Sequence, residues 1–238
     1  MRSFIIHMSS SVARHENAQR LLETLPNAEL VEAVNGRDPA HVAKVALFPG
    51  NLHRPHYPFA LQPAEVGVFE SNRKIWQRIV DQGLEYALIV EDDLQIDAAQ
   101  WALVMSLISD HATRDMYIRL PVKDREKPVQ VLARVGGAAL FLPRRIGLQC
   151  ICQVVGRNAA ARLLAVTNQI DRPIDTFLQM HWASGQPVHA IWPTGNREIA
   201  GQIGGSTIQR KTRASGKLTR ELKRAWYRAQ IALRPQEP

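Results

Sequence analysis

An α/β fold, with a mainly parallel sheet covered by helices on both faces, is predicted by three features of this 238-residue chain. Short apolar runs rich in β-branched residues alternate with stretches of helical spacing. Hydrophobic residues make up 45% of the chain, ample for a packed core, and the length fits one α/β domain with an appendage or two small domains. The run Tyr86-Ala87-Leu88-Ile89-Val90 leads straight into Glu91-Asp92-Asp93. That is the pattern of a buried strand whose carboxyl end meets a ligand.

The elements follow in order. Phe4–Met8 reads as a first strand, since this apolar stretch is too short for the core of a secretory signal and no small-residue cleavage site follows it. Val12–Leu25 reads as a helix, with Ser9, Ser10 and Ser11 as N-cap candidates and Pro26 as its stop. Ala28–Val34 reads as a second strand ending in the turn Asn35-Gly36. Residues 37–62, with scattered Pro, Gly and His, read as a loop or small flap. Pro63-Ala64-Glu65 opens a helix that runs through Ile75, Trp76 and Ile79 to Gly83, because proline suits a first helical position. The acidic strand comes next, and Trp101–Ile108 has helical apolar spacing. Met116–Leu120 and Ala138–Leu142 read as strands separated by the charged loop Lys123–Pro128. Leu148–Val155 reads as a strand, and Arg157–Thr167 and Ile174–Ala183 as helices. There is no internal repeat and no apolar run of 18 residues that would span a membrane.

Three adjacent carboxylates at the end of a buried strand raise one another's pKa and are costly to leave unpaired. Hard oxygen ligands at this density suit Mg²⁺ or Mn²⁺, with phosphate oxygens completing the shell. Glu91–Asp93 is therefore a candidate metal–diphosphate site; the alternative is a solvated acidic turn. Cys150 and Cys152 would face one side of a strand, and no second Cys/His pair completes a zinc site, so they read as buried, reduced thiols of a cytosolic protein.

The net charge of +8 is concentrated in the tail, where residues 207–238 hold nine basic and two acidic side chains. The body is close to neutral. This argues for an anionic partner of the tail and against a nucleic-acid-binding body. Leu218, Leu222, Ala225, Trp226, Ala229 and Leu233 form one helical stripe flanked by Arg and Lys. Such a helix either lies on an anionic membrane surface or docks on the body with its charges toward water. Binding to RNA is a weaker third option, because aromatic residues for base stacking are few.

Four segments together resemble the family 25 glycosyltransferases, the lipooligosaccharide galactosyltransferase group that also contains the collagen galactosyltransferases. They are Glu65-Val66-Gly67-Val68-Phe69-Glu70-Ser71-Asn72 followed by Ile75-Trp76, Ala87 to Asp93, Val154-Val155-Gly156-Arg157-Asn158-Ala159-Ala160, and Arg172-Pro173-Ile174-Asp175-Thr176-Phe177-Leu178. The resemblance implies a GT-A fold over residues 1–208 with a basic amphipathic tail at 209–238. It also implies a nucleotide-sugar donor and an acidic metal motif, with Glu91 and Asp93 outermost and Asp92 between them. Asp93 would be the leading metal ligand, and an earlier acid would meet the donor ribose or sugar. The chain departs from the family pattern at Ser71-Asn72 (usually Ser-His), at His7 (often Asn) and at Asn35-Gly36 (often Asp-Gly).

Inverting transfer needs a base on the face opposite the leaving group. Asp175 is the candidate, unless it serves only as a helix-start acid; Asp171 is a weaker rival. Arg14 reads as a diphosphate or uracil contact or as a surface arginine. Asn35, Gly36 and Ser71 match donor-pocket positions. Ser206 matches a late family position that lines the donor site, or belongs to a plain flexible loop after Gly204-Gly205. His181 and His189 are candidates for a metal or phosphate contact, though lone histidines are more often structural.

The expectation is thus a Mn²⁺- or Mg²⁺-dependent inverting transferase. It would move galactose from UDP-galactose to a lipid-linked saccharide of a bacterial surface glycan, at the cytoplasmic face of the inner membrane. A non-catalytic nucleotide- or glycan-binding relative is the alternative. A metal-dependent phosphotransferase is less favoured, because Leu94-Gln95 follow the acids where its aspartyl signature would continue.

Overall fold

The computed structural model describes residues 1–204 and 217–238. The chain runs β1 (Arg2–His7), α1 (Val12–Thr24), β2 (Ala28–Glu32), α2 (Pro39–Val42), β3 (Ala46–Leu47), α3 (Pro63–Asp81), β4 (Tyr86–Glu91) and β5 (Leu94–Gln95). It continues through α4 (Ala98–His111), β6 (Tyr117–Arg119), β7 (Pro128–Val135), β8 (Ala138–Pro143), β9 (Cys152–Gly156), α5 (Arg157–Val166) and β10 (Gln169–Ile170). The last elements are α6 (Ile174–Leu178), α7 (His181–Ser184), β11 (Val188–Trp192), β12 (Arg197–Glu198) and α8 (Lys217–Ala232).

The main sheet has eight strands in the order β2-β1-β4-β9-β6-β11-β8-β7. Six run in one direction, while β9 and β8 run against their neighbours. The α/β class and the mainly parallel sheet therefore hold, with β9 reversed between β4 and β6 and β8 reversed between β11 and β7. Side chains alternate across the sheet as the period of two requires. Phe4, Ile89 and Val155 face a core shared with α3 and α5. Ile5, Leu88, Val90 and Val154 face a second core shared with α1 and α4. Helices cover both faces.

Several boundaries differ from the sequence reading. The strand expected from Leu148 begins only at Cys152, because Gln149 has a left-handed backbone (φ 82°) that breaks extension. Cys150 and Cys152 are both buried and free, as expected. Because the strand starts so late, they join opposite cores instead of sharing a side. The helix expected over Ile174–Ala183 is two short helices, broken where Met180 turns into the core. Ser11 is the N-cap of α1 by position, but its side chain makes no capping bond. The reading missed β7 and β11. Gly136-Gly137 between two apolar runs was the hairpin signal for β7.

The C-terminal helix meets the body by a face the sequence did not indicate. Tyr227 and Ile231 are buried in the α3 core, while Leu222, Trp226 and Leu233 of the apolar stripe remain exposed.

The turn after β2 crosses the start of α3 at backbone contact distance. A Cβ on Gly36 would lie 1.6 Å from the Pro63 carbonyl oxygen, and one on Gly67 would lie 2.5 Å from that of Val34. Ser71 secures the crossing: its hydroxyl accepts from Val34 N at 2.8 Å and donates to Gly67 O at 2.7 Å. Gly36→Ala is accordingly expected to lose the soluble, cooperatively melting protein, as read by expression yield and thermal unfolding. Wild-type melting in that variant would count against this packing.

Candidate active site

β1, β2 and β4 are parallel, so their carboxyl ends share one edge of the sheet. A cleft of about 840 Å³ opens there. Arg14, Asn35, Gly36, Ser71, Glu91, Asp92, Asp93 and Asp175 all line it. The structure therefore brings together these eight candidates and leaves the rival Asp171 outside the lining, while Ser206 lies outside the described residues. His181 and His189 are not among the lining residues.

The three acids are not equivalent. Asp92 is buried and faces inward. Its Oδ2 accepts from His7 Nδ1 at 2.8 Å and its Oδ1 from Arg14 Nη1 at 2.7 Å. Asn17 Nδ2 donates to the carbonyl oxygens of Asp92 and Leu94, which holds the turn itself. His7, where the resemblance leads one to expect Asn, thus serves as a clamp on Asp92. Asp93 Oδ2 lies 3.1 Å from Arg14, but its buried Oδ1 has no hydrogen-bond partner. Burial works against the charge of Arg14, and the Asp93 and Asp92 carboxylates more than offset it, holding its pKa above the usual value. Burial, joined by the charges of Asp93 and Asp92, pushes Glu91 well above the usual carboxylate range. Burial also pushes Asp93 up, against the pull of Arg14.

This corner still holds more negative charge than Arg14 balances. A divalent cation fits the donor chemistry: an unpartnered buried oxygen on Asp93, with Glu91 beside it. Among the described residues, no three His, Cys, Asp or Glu side chains form a ready-made cage. One or two protein carboxylates would therefore hold such an ion, with phosphate oxygens and water completing its shell.

Glu198 was missed by the sequence reading, and nothing in its local pattern marks it. β12 pairs with β5, and Ile199 N donates to Asp93 O at 2.9 Å, which brings the Glu198 charge to bear on Glu91 and Asp93. Gln149 was missed too. Its side chain donates to Glu198 Oε2 at 2.8 Å, and its backbone N–H donates to Asp175 Oδ2 at 3.0 Å. One residue therefore spans the gap between the acidic corner and Asp175. Arg119 fixes the left-handed backbone of Gln149. Its Nη2 donates to Leu148 O at 2.7 Å and Gln149 O at 2.8 Å, while its Nη1 pairs with buried Glu126.

Asp175 sits in the first turn of α6. Oδ1 accepts from the Thr176 N–H at 2.7 Å and from its hydroxyl at 3.2 Å. Donors on both oxygens fix the carboxylate, which is only partly buried and borders the cleft. Its rival Asp171 is fully engaged by Arg172 and by Leu52 N, which suits a structural acid. Ser71 borders the cleft with its hydroxyl committed to the backbone crossing. Asn35 caps its own turn, its Oδ1 accepting from Arg37 N at 3.0 Å.

Comparison with known proteins adds two findings. The model of Glycosyltransferase family 25 (LPS biosynthesis protein) matches residues 1–135, more than half of the chain. The chain is also 30% identical over 100 residues to procollagen galactosyltransferase 1 of Danio rerio. That similarity covers 39% of this chain and 16% of the relative. The family match takes in β1 to β7 with the acidic corner, and Asp175 and α8 lie beyond it.

Proposed function

The chain belongs to glycosyltransferase family 25, and from that premise we propose that it is a metal-dependent, inverting hexosyltransferase. Its donor is a UDP-hexose, most simply UDP-galactose, and its acceptor a lipid-linked saccharide of a bacterial surface glycan. The observation that carries this reading is the meeting of Glu91 and Asp93 with Asp175 in one cleft, where Gln149 links Asp175 to Glu198 beside the acidic corner. The α/β sheet with its reversed strands is consistent with a GT-A-like fold, and the name of the zebrafish relative supports galactose.

In this reading Asp93, with Glu91, would hold Mn²⁺ or Mg²⁺. The ion would supply charge neutralisation for the departing UDP. The protein does the remaining work. Arg14 and His7 fix Asp92 and so set the direction of the corner. Asp175, held by Gln149 N–H and Thr176, takes the proton from the acceptor hydroxyl as that oxygen attacks the sugar carbon from the face opposite UDP. None of the described helices is long and apolar enough to cross a membrane. Peripheral binding to an anionic inner-membrane surface is assigned to α8, each nearby Lys or Arg contributing roughly 1 kcal/mol.

Asp175→Asn tests the base. Transfer is expected to fall by about a hundredfold or more while UDP affinity, measured calorimetrically, is unchanged. Undiminished transfer would remove Asp175 from the chemistry. A second reading, a non-catalytic nucleotide binder, draws on the lack of a three-ligand cage among the described residues. Binding of UDP with Mn²⁺ but no sugar release from any UDP-hexose would favour it.

A further inference from the structure

The cleft has two chemically distinct ends. Glu91, Asp93 and Glu198 mark one. The other is walled by α8, whose Arg224 and Arg228 line the same space. Asp175 lines the cleft as well, and so does Tyr57, whose ring packs on Tyr227 and on Phe59 beneath Arg224; the Asp175 charge reaches both tyrosines. The two arginines stand at i and i+4, so their guanidinium groups project from one side of the helix. Arg224 is steadied by Glu221 at 2.5 Å and by the Phe59 ring at 5.6 Å. Arg228 is exposed and has no ion pair among the described residues. α8 is fixed in place by Tyr227, whose hydroxyl accepts from Arg172 at 3.0 Å and whose ring stands edge-on to Tyr57. On the opposite side of the helix, Leu222, Trp226 and Leu233 are 63%, 69% and 81% exposed.

A neutral sugar hydroxyl needs no guanidinium beside it, whereas an anion held near Glu65 and Asp175 needs two guanidinium groups to offset their repulsion. Two arginines here suit an acceptor that brings its own phosphate. The exposed apolar stripe lies on the other side of the same helix. We propose that Arg224 and Arg228 form a phosphate subsite at the acceptor end of the cleft. It binds the phosphate that joins the acceptor saccharide to its lipid, while Leu222, Trp226 and Leu233 face that lipid. This rests on the reading of the cleft as a nucleotide-sugar site with Asp175 at its acceptor end.

The test uses the full-length protein saturated with UDP and Mn²⁺, so that the donor site is filled. Glucose 1-phosphate is titrated into wild type and into the Arg224→Gln/Arg228→Gln variant. The variant is expected to weaken this binding at least about tenfold, with UDP affinity and melting temperature unchanged. Phosphatidylcholine vesicles doped with decaprenyl phosphate are expected to lose the variant, whereas vesicles doped with phosphatidylglycerol retain it through the remaining basic residues. Leu222→Ser/Trp226→Ser is expected to lose both kinds of vesicle and keep glucose 1-phosphate. Unchanged glucose 1-phosphate affinity, or a parallel fall in UDP affinity, overturns the subsite. Equal loss on the two vesicle types overturns its lipid-linked assignment. Wild type that binds glucose 1-phosphate without binding UDP refutes the donor-site reading alone.

Discussion

Asp93→Asn is expected to reduce sugar transfer at least about a thousandfold and leave the protein folded. The replacement keeps the shape of the side chain but removes the charge that the cation and the diphosphate require. Stability should not suffer. Asp93 has its pKa raised in the folded state, so its ionised form opposes folding near neutral pH. The amide removes the cost of burying that charge, together with its repulsion from Asp92 and Glu198, and Arg14 keeps its 2.7 Å contact with Asp92. The melting temperature is therefore expected to stay level or rise. Turnover at the wild-type rate in a folded Asp93→Asn protein would dispose of the metal assignment.

Arg172→Met is expected to cost about 3–5 kcal/mol of stability, the usual penalty for stranding one partner of a buried ion pair. Arg172 is 0% exposed. It donates to both oxygens of Asp171, to the carbonyls of Pro55 and His53, and to Tyr227 on α8. Its loss leaves the Asp171 carboxylate with only the Leu52 N–H, and detaches α8 and the segment around residues 53–57 together. Urea unfolding measures the loss, and limited proteolysis is expected to cut near α8 first. Adding Asp171→Leu should recover part of the stability, because a matched apolar pair no longer buries a lone charge. A single variant as stable as wild type would show that Arg172 does not tie these parts together.

The acidic corner was legible because its signal is local: an apolar strand, three carboxylates and resumed apolar spacing lie within eleven residues. The α/β class was legible for the same reason. The direction of β9 was not, since alternation along a strand is the same whichever way the strand runs. Gln149 and Glu198 were invisible because their roles come from a left-handed turn and from a short strand pairing between distant segments. The docking of α8 was misjudged for another reason. Periodicity identified the strongest apolar stripe, but contact is made by Tyr227, whose phenol suits Arg172, and by Ile231 on the far side. A helical pattern identifies faces; it does not say which one meets protein.

The reversal of β9 has one more consequence. Because that strand enters the sheet at the edge where β4 leaves it, residues 148–151 form part of the rim of the cleft. Arg119 anchors this segment through main-chain oxygens of Leu148 and Gln149, which any side chain would leave in place. The side chain at position 148 can therefore be exchanged at the rim of the cleft while the backbone beneath it keeps its anchor.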